Sequence, residues 1–186
     1  QNLNRKFSVS EKVDLVDRLM DAGACRIEVG SFVNAKRVPN MSGFEEVLDK
    51  IKRPKGITIS GLILNEKGVD RALNHGGLDE IRFVVVASDT FSKINQGASI
   101  SQTLQALRNV SSKIKNHNVK LSVVIAAAFG CPYEGKIKEA KVLDLISKSL
   151  SYGAKEIIIA DTIGSGLPSQ VTSFSKKVNP MLGEAL

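Results

Sequence analysis

Apolar, β-branched runs recur along this chain with amphipathic stretches between them, and that alternation restricts the fold more than any other property. The candidate strands run from Cys25 to Val29, Ile57 to Leu64, Glu80 to Ala87, Lys120 to Ala127 and Glu156 to Ala160. Between them, Val13, Val16, Leu19 and Met20 share one helical face, as do Phe44, Val47, Leu48 and Ile51. Leu104, Leu107, Val110 and Ile114 form a third stripe, and Val142, Leu145, Ile146 and Leu150 a fourth. Ser8 with Glu11 predicts a capping box and Gly23 a stop for the first helix; Ser99 with Gln102 predicts a second box. Strict alternation of this kind implies a parallel sheet with right-handed crossovers. With no Trp and 5% aromatic residues, the core falls to Ile, Val, Leu and Ala, which suits strands buried on both faces.

Two α/β architectures fit, an open doubly wound sheet and a (β/α)8 barrel. A dinucleotide fold would carry G-x-G-x-x-G after an early strand; the nearest spelling, Gly164-Ser165-Gly166, follows the fifth strand and lacks the third glycine. A barrel takes about 250 residues. At 186 residues the expectation is therefore an open fold or part of a longer chain, since an unclosed barrel leaves strand edges bare. No linker or low-complexity tract interrupts residues 1–186, which predicts one domain.

The net charge of +7 does not by itself point to nucleic acid. Residues such as Lys36, Arg37, Lys50, Lys113, Lys136 and Lys176 are scattered, with no basic stripe interleaved with aromatics, so no nucleic-acid partner is expected. A local basic rim for a phosphorylated small molecule stays open. Cys25 and Cys131 stand far apart and suggest neither a disulfide framework nor a metal knuckle, which fits a reducing compartment. No apolar run is long enough to span a bilayer and no signal-like segment opens the chain, so no membrane partner is expected.

Chemistry is expected at the carboxyl ends of the strands. The first strand ends in Glu28, Gly30, Ser31 and Phe32, and the last in Asp161, Thr162 and Gly164, so each delivers a carboxylate next to hydroxyls. A lone acid there serves equally as a helix cap or ion-pair partner; two at equivalent places favour a shared polar pocket. The fourth strand opens into Gly130-Cys131-Pro132-Tyr133-Glu134-Gly135, read as a rigid polar loop. Cys131 could serve as a nucleophile, but neither His75 nor His117 lies near it in sequence.

Five segments, taken in order, resemble the hydroxymethylglutaryl-CoA lyase family: Gln1-Asn2, Ile27-Glu28-Val29-Gly30-Ser31-Phe32-Val33, Lys36-Arg37-Val38-Pro39-Asn40-Met41, Phe129-Gly130-Cys131-Pro132-Tyr133-Glu134-Gly135 and Asp161-Thr162-Ile163-Gly164. The family belongs to a group of metal-dependent barrel lyases and condensing enzymes, and the resemblance implies an incomplete (β/α)8 barrel with five to six βα units. It implies an enzyme cleaving 3-hydroxy-3-methylglutaryl-CoA, or a related 3-hydroxyacyl-CoA, to acetyl-CoA and acetoacetate, as in leucine degradation and ketone body metabolism. The CoA thioester is then a substrate, and the full-length family uses a divalent metal, Mg or Mn.

By the same resemblance, Gln1 and Glu28 would support the metal and substrate region, and Asp161 with Thr162 would take part in proton transfer and positioning. Ser31 and Phe32 would face the substrate, Cys131, Tyr133 and Glu134 would shape the mouth of the site, and lysines would meet the CoA phosphates. The family's Arg-Asp pair belongs before Gln1 and its His-x-His pair soon after Val178, with an Asn ligand and a catalytic Cys beyond; the expected metal ligands thus fall outside this chain, which is expected to be inactive alone. Leu3 and Asn4 replace a Glu-Lys pair, and Ser122 and Val124 replace an Arg and a Tyr. The alternatives are a non-catalytic remnant that needs a partner, including self-association through open strand edges, and a related acetyl-CoA condensing enzyme. The expected compartment is the cytoplasm if the source is bacterial and the mitochondrial matrix if it is eukaryotic.

Overall fold

The computed structural model describes residues 4–182. The chain divides into two compact units, Gln1–Arg82 with His117–Lys120 and Phe83–Asn116 with Leu121–Leu186, with boundaries that fall inside two strands.

In the first unit, α1 (Val9–Asp21) leads to β1 (Arg26–Ser31), a 3-10 turn (Pro39–Met41), α2 (Phe44–Lys50), β2 (Thr58–Ile63), α3 (Glu66–His75) and the start of β3 (Glu80–Val86). The capping box forms as expected: the Glu11 N–H donates to Ser8 Oγ at 3.2 Å and the Ser8 N–H to Glu11 Oε2 at 2.9 Å. Val16 and Met20 of α1 are buried, whereas Leu19, expected on the same face, is 42% exposed and Leu15 60%. Phe44, Val47, Leu48, Ile59, Ile63 and Val69 fill the core. Each such side chain contributes roughly 1.5–3 kcal/mol on leaving water.

β1 and β2 pair in parallel, with Glu28 opposite Ser60, then slip by one residue so that Gly30 lies opposite Gly61. This bulge turns both glycines towards the Phe44 ring. A Cβ on Gly30 would lie 2.7 Å from Phe44 Cδ2, and one on Gly61 3.3 Å from Cε1. The missing side chains are therefore what lets the ring approach the strands.

The second unit continues β3 into α4 (Asp89–Gln96) and α5 (Ile100–Ile114), then β4 (Lys120–Ala126), the short strands β5 (Gly130–Cys131) and β6 (Gly135–Lys136), α6 (Glu139–Ser151), β7 (Glu156–Ile159) and α7 (Pro168–Leu182). The second capping box is also present, at Ser99 and Gln102. Leu107, Val110, Ile125, Val142, Leu145 and Ile146 form the core, and β7 runs parallel to β4 with Ser122 opposite Glu156.

The five long strands belong to one parallel sheet in the order β1-β2-β3-β4-β7. All five follow the expected positions to within two residues at either end. Among the described residues, no helix is long and apolar enough to cross a membrane.

Candidate active site

In the first unit, alternate residues of β1 and β3 build a line of charge, because i and i+2 share a face of a strand. Glu80 is fully buried, and a buried carboxylate needs paired donors. Arg26 supplies them through Nε at 2.8 Å to Oε2 and Nη2 at 2.6 Å to Oε1. Arg82 adds a longer bond, Nε to Glu80 Oε1 at 3.2 Å, and its Nη1 reaches Glu28 Oε2 at 3.3 Å. Glu28 thus stands in an ion pair with its side chain 35% exposed.

Three residues further along β1, beyond Val29 and Gly30, the Ser31 hydroxyl donates to the Leu62 carbonyl at 3.0 Å. Phe32 is buried, its ring edge-on to Phe44 with centroids 4.8 Å apart and the Arg71 guanidinium 5.5 Å over its face. Phe32 thus packs in the core of this unit. Gln1 lies outside the described residues.

In the second unit, the segment read from the sequence as a rigid polar loop folds as an antiparallel hairpin, Gly130 opposite Lys136 and Cys131 opposite Gly135. It is fastened to the start of α4. Cys131, 3% exposed, places Sγ 3.0 Å from Ser88 Oγ, while the N–H groups of Tyr133 and Glu134 point at the sulfur from 3.3 and 3.5 Å. Burial pushes the Cys131 thiol up, but its hydrogen bonds with Ser88, Tyr133 and Glu134 outweigh it and leave the pKa below that of an ordinary cysteine. Ser88 also caps α4 by accepting from the Phe91 N–H. Glu134 Oε1 accepts from the Thr90 N–H at 2.7 Å, a carboxylate at a helix N-terminus. That bond, helped by Lys141, holds the Glu134 carboxyl below the usual range. Tyr133 stays 54% exposed, with its ring edge on Phe91.

Past the end of β4, Ala127 adopts the left-handed region at φ 56° while fully buried, a conformation that costs a non-glycine residue about 1–2 kcal/mol. Its N–H donates to Thr162 Oγ1 at 2.8 Å. Asp161, one residue earlier than Thr162, accepts from the Gly166 N–H at 2.8 Å on Oδ2 and the Ser165 N–H at 3.0 Å on Oδ1. These bonds lower the Asp161 pKa, the Gly166 N–H most, and order the turn that carries Thr162. A cavity of about 670 Å³ near the hairpin is lined by Phe129, Lys136, Lys138, Ser169 and Phe174.

Each of the two carboxylates singled out from the sequence therefore has a local partner, Arg82 for Glu28 and backbone donors for Asp161. Among the described residues, no group of three or more His, Cys, Asp or Glu is placed to hold a metal ion. Arg82, Ser88 and Ala127 were missed by sequence reasoning. Arg82 had a signal, a charge two residues after Glu80 in an otherwise apolar run; Ser88 had the form of an N-cap. Nothing in the sequence marks Ala127.

Residues 1–183 match the family model described as HMGL-like. The chain is 38% identical over 168 residues to the mitochondrial hydroxymethylglutaryl-CoA lyase of Macaca fascicularis, covering 90% of this chain and 51% of that protein. It is 32% identical over 188 residues to the (R)-citramalyl-CoA lyase of Chloroflexus aurantiacus, covering 96% and 59%. A solved HMG-CoA lyase from A. baumannii, in complex with coenzyme A and 3-methylmalate, superposes with a TM-score of 0.94 at 33% identity, covering 98% of this chain and 59% of that one. The chain spans about half to three-fifths of the length of the curated relatives it matches. The succession of strands and helices is that of part of a (β/α)8 barrel, as expected from the sequence.

Proposed function

The chain belongs to the HMGL-like family of lyases, and from that premise we propose that it forms part of an enzyme cleaving the C2–C3 bond of a 3-hydroxyacyl-CoA, with 3-hydroxy-3-methylglutaryl-CoA yielding acetyl-CoA and acetoacetate. The family match over nearly the whole chain carries this reading, because the two named relatives are both lyases of CoA thioesters.

The reaction requires a base for the 3-hydroxyl proton; as C2–C3 breaks, the hydroxyl carbon becomes a ketone and the electron pair passes to an acetyl-CoA enolate, which is then protonated. Glu28 supplies a part-exposed carboxylate beside a guanidinium, suited to meeting a hydroxyl. Asp161 is held ionised and occupied by backbone donors, which makes it a weak base and an effective support for Thr162. Proton transfer is therefore assigned to the Glu28 side, and positioning to Asp161 and Thr162. Cys131 and Glu134 set the hairpin, Tyr133 stands at its exposed tip, and Ser31 holds the end of β1. Gln1 is proposed to add to the same region. Lys136 and Lys138 offer cationic partners for the CoA phosphates. A divalent metal, Mg or Mn, belongs to this proposal through the family alone.

A related branched thioester such as citramalyl-CoA is the second reading. Ser122, at the place of a family Arg, is fully buried with a hydroxyl that has no hydrogen-bond partner, so that strand presents a different surface from the family pattern. The test is incubation of the full-length polypeptide with each thioester and Mg or Mn. Acetoacetate from the first supports the main reading, and pyruvate from citramalyl-CoA the second. Cleavage of neither refutes both and favours a non-catalytic remnant; formation of a hydroxy diacid from acetyl-CoA and a 2-oxo acid favours a condensing enzyme.

A further inference from the structure

The charged line across β1 and β3 is unequally satisfied. Glu80 takes short bonds from Arg26, at 2.6 and 2.8 Å, and does not depend on Arg82 for its charge balance. Arg82 makes only the two long contacts, 3.2 Å from Nε to Glu80 and 3.3 Å from Nη1 to Glu28. Its Nη2 has no acceptor among the described residues, although the side chain is just 18% exposed. Glu28, in turn, engages Oε2 only. Ser122 Oγ is the one buried side-chain polar atom without a partner among the described residues, so the uncommitted Arg82 Nη2 is open to solvent, from which a ligand acceptor can reach it. The pair thus presents, side by side, a donor fork and a carboxylate acceptor. The complementary ligand carries an anionic oxygen pair for the fork and a hydroxyl for the acceptor, which is the pattern of a hydroxy carboxylate.

We infer that Arg82 is a substrate-binding, specificity-determining residue: its Nη groups bind the free carboxylate of the acyl chain while Glu28 Oε1 accepts a hydrogen bond from the substrate hydroxyl. This rests on the reading of the enzyme as a hydroxyacyl-CoA lyase and deepens it, by assigning to Arg82 the recognition of the carboxylate that ends the acyl group. No covalent step is assigned to Arg82.

The test uses two thioesters that cannot be cleaved because they lack the hydroxyl and that differ only in the terminal carboxylate, 3-methylglutaryl-CoA and 3-methylbutyryl-CoA. Each is titrated calorimetrically into the full-length polypeptide with Mg present. Arg82→Gln should weaken 3-methylglutaryl-CoA roughly ten- to hundredfold, the range for a lost charge-assisted bond, and leave 3-methylbutyryl-CoA within about twofold. Arg82→Lys keeps the charge without the fork and should lose several-fold on the first ligand alone; it also serves if the glutamine variant does not fold. Equal loss on both thioesters, or no change on either, overturns the assignment, as does failure of the unaltered protein to prefer the carboxylated ligand. Acetoacetate release by the unaltered protein is measured separately, so that failure of the lyase reading and failure of the Arg82 assignment are told apart.

Discussion

Replacing Thr162 with Val tests whether the turn after β7 is held by a single side-chain acceptor. The two side chains have nearly the same shape, so the change removes one oxygen and little volume. That oxygen accepts from the Ala127 N–H at 2.8 Å, and Ala127 is fully buried, so a valine methyl in its place leaves that N–H covered and without an acceptor. Leaving a buried donor unsatisfied costs about 1–3 kcal/mol. The loss falls where the backbone is already strained, Ala127 at φ 56°, and the bond helps keep that residue in the left-handed region. Taking about 2 kcal/mol, and ~2–4 °C per kcal/mol for a protein of this size, Thr162→Val should melt roughly 4–8 °C lower by circular dichroism. Thr162→Ser keeps the acceptor and should stay much closer to the unaltered protein. Ala127→Gly combined with Thr162→Val should regain part of the loss, because glycine carries no Cβ penalty at positive φ. A Thr162→Val melt within about 1 °C of the parent would show that Ala127 is held by packing alone and would remove the physical case for Thr162 as a positioning residue.

Three further outcomes follow from particular contacts. Gly30→Ala places a Cβ 2.7 Å from the Phe44 ring and should destabilise by about 1–3 kcal/mol in urea unfolding, with recovery on adding Phe44→Leu. Glu80→Ala strips the carboxylate from Arg26 and Arg82 and should cost about 3–5 kcal/mol in the same assay; a neutral result would mean that the buried charges find other partners. Asp161 and Glu134 both have depressed folded-state pKa values, so the stability they contribute is present above their unfolded values near ~4 and is lost as pH falls through the lower folded values. The thermal midpoint should therefore drop below about pH 4, less steeply in Asp161→Asn, and a midpoint flat down to about pH 3 would contradict the assignment.

The long strands and the capped helices were legible because their signals are local. A β-branched run marks a strand wherever it lies, and Ser8 with Glu11 forms its box within one turn. Helix α4 was not legible for a physical reason. Its residues are mostly polar, Ile94 faces solvent at 57% exposure, and only Ser92 is buried, so it carries no apolar stripe. Its ends hold it instead: Ser88 caps the start, Glu134 approaches from the hairpin, and Gly97 closes it at φ 73°. The hairpin at Gly130–Gly135 was hidden for a related reason, since two residues per strand give no alternation to read.

The carboxylates show where sequence position stops being informative. Glu28 and Asp161 sit at similar places in their βα units and would be treated alike on that basis. Their partners separate them. Asp161 accepts from two backbone N–H groups, which hold its charge and lower its basicity, so its chemistry is spent on shaping the Thr162 turn. Glu28 faces one long contact from a guanidinium that itself lacks an acceptor at Nη2 among the described residues, so both keep capacity for a ligand. Position selects the candidates, but the capacity each has left after its local bonds decides which can act on a substrate. By that criterion the Glu28–Arg82 pair, only half of which the sequence pointed out, is where the chemistry of this chain should be sought first.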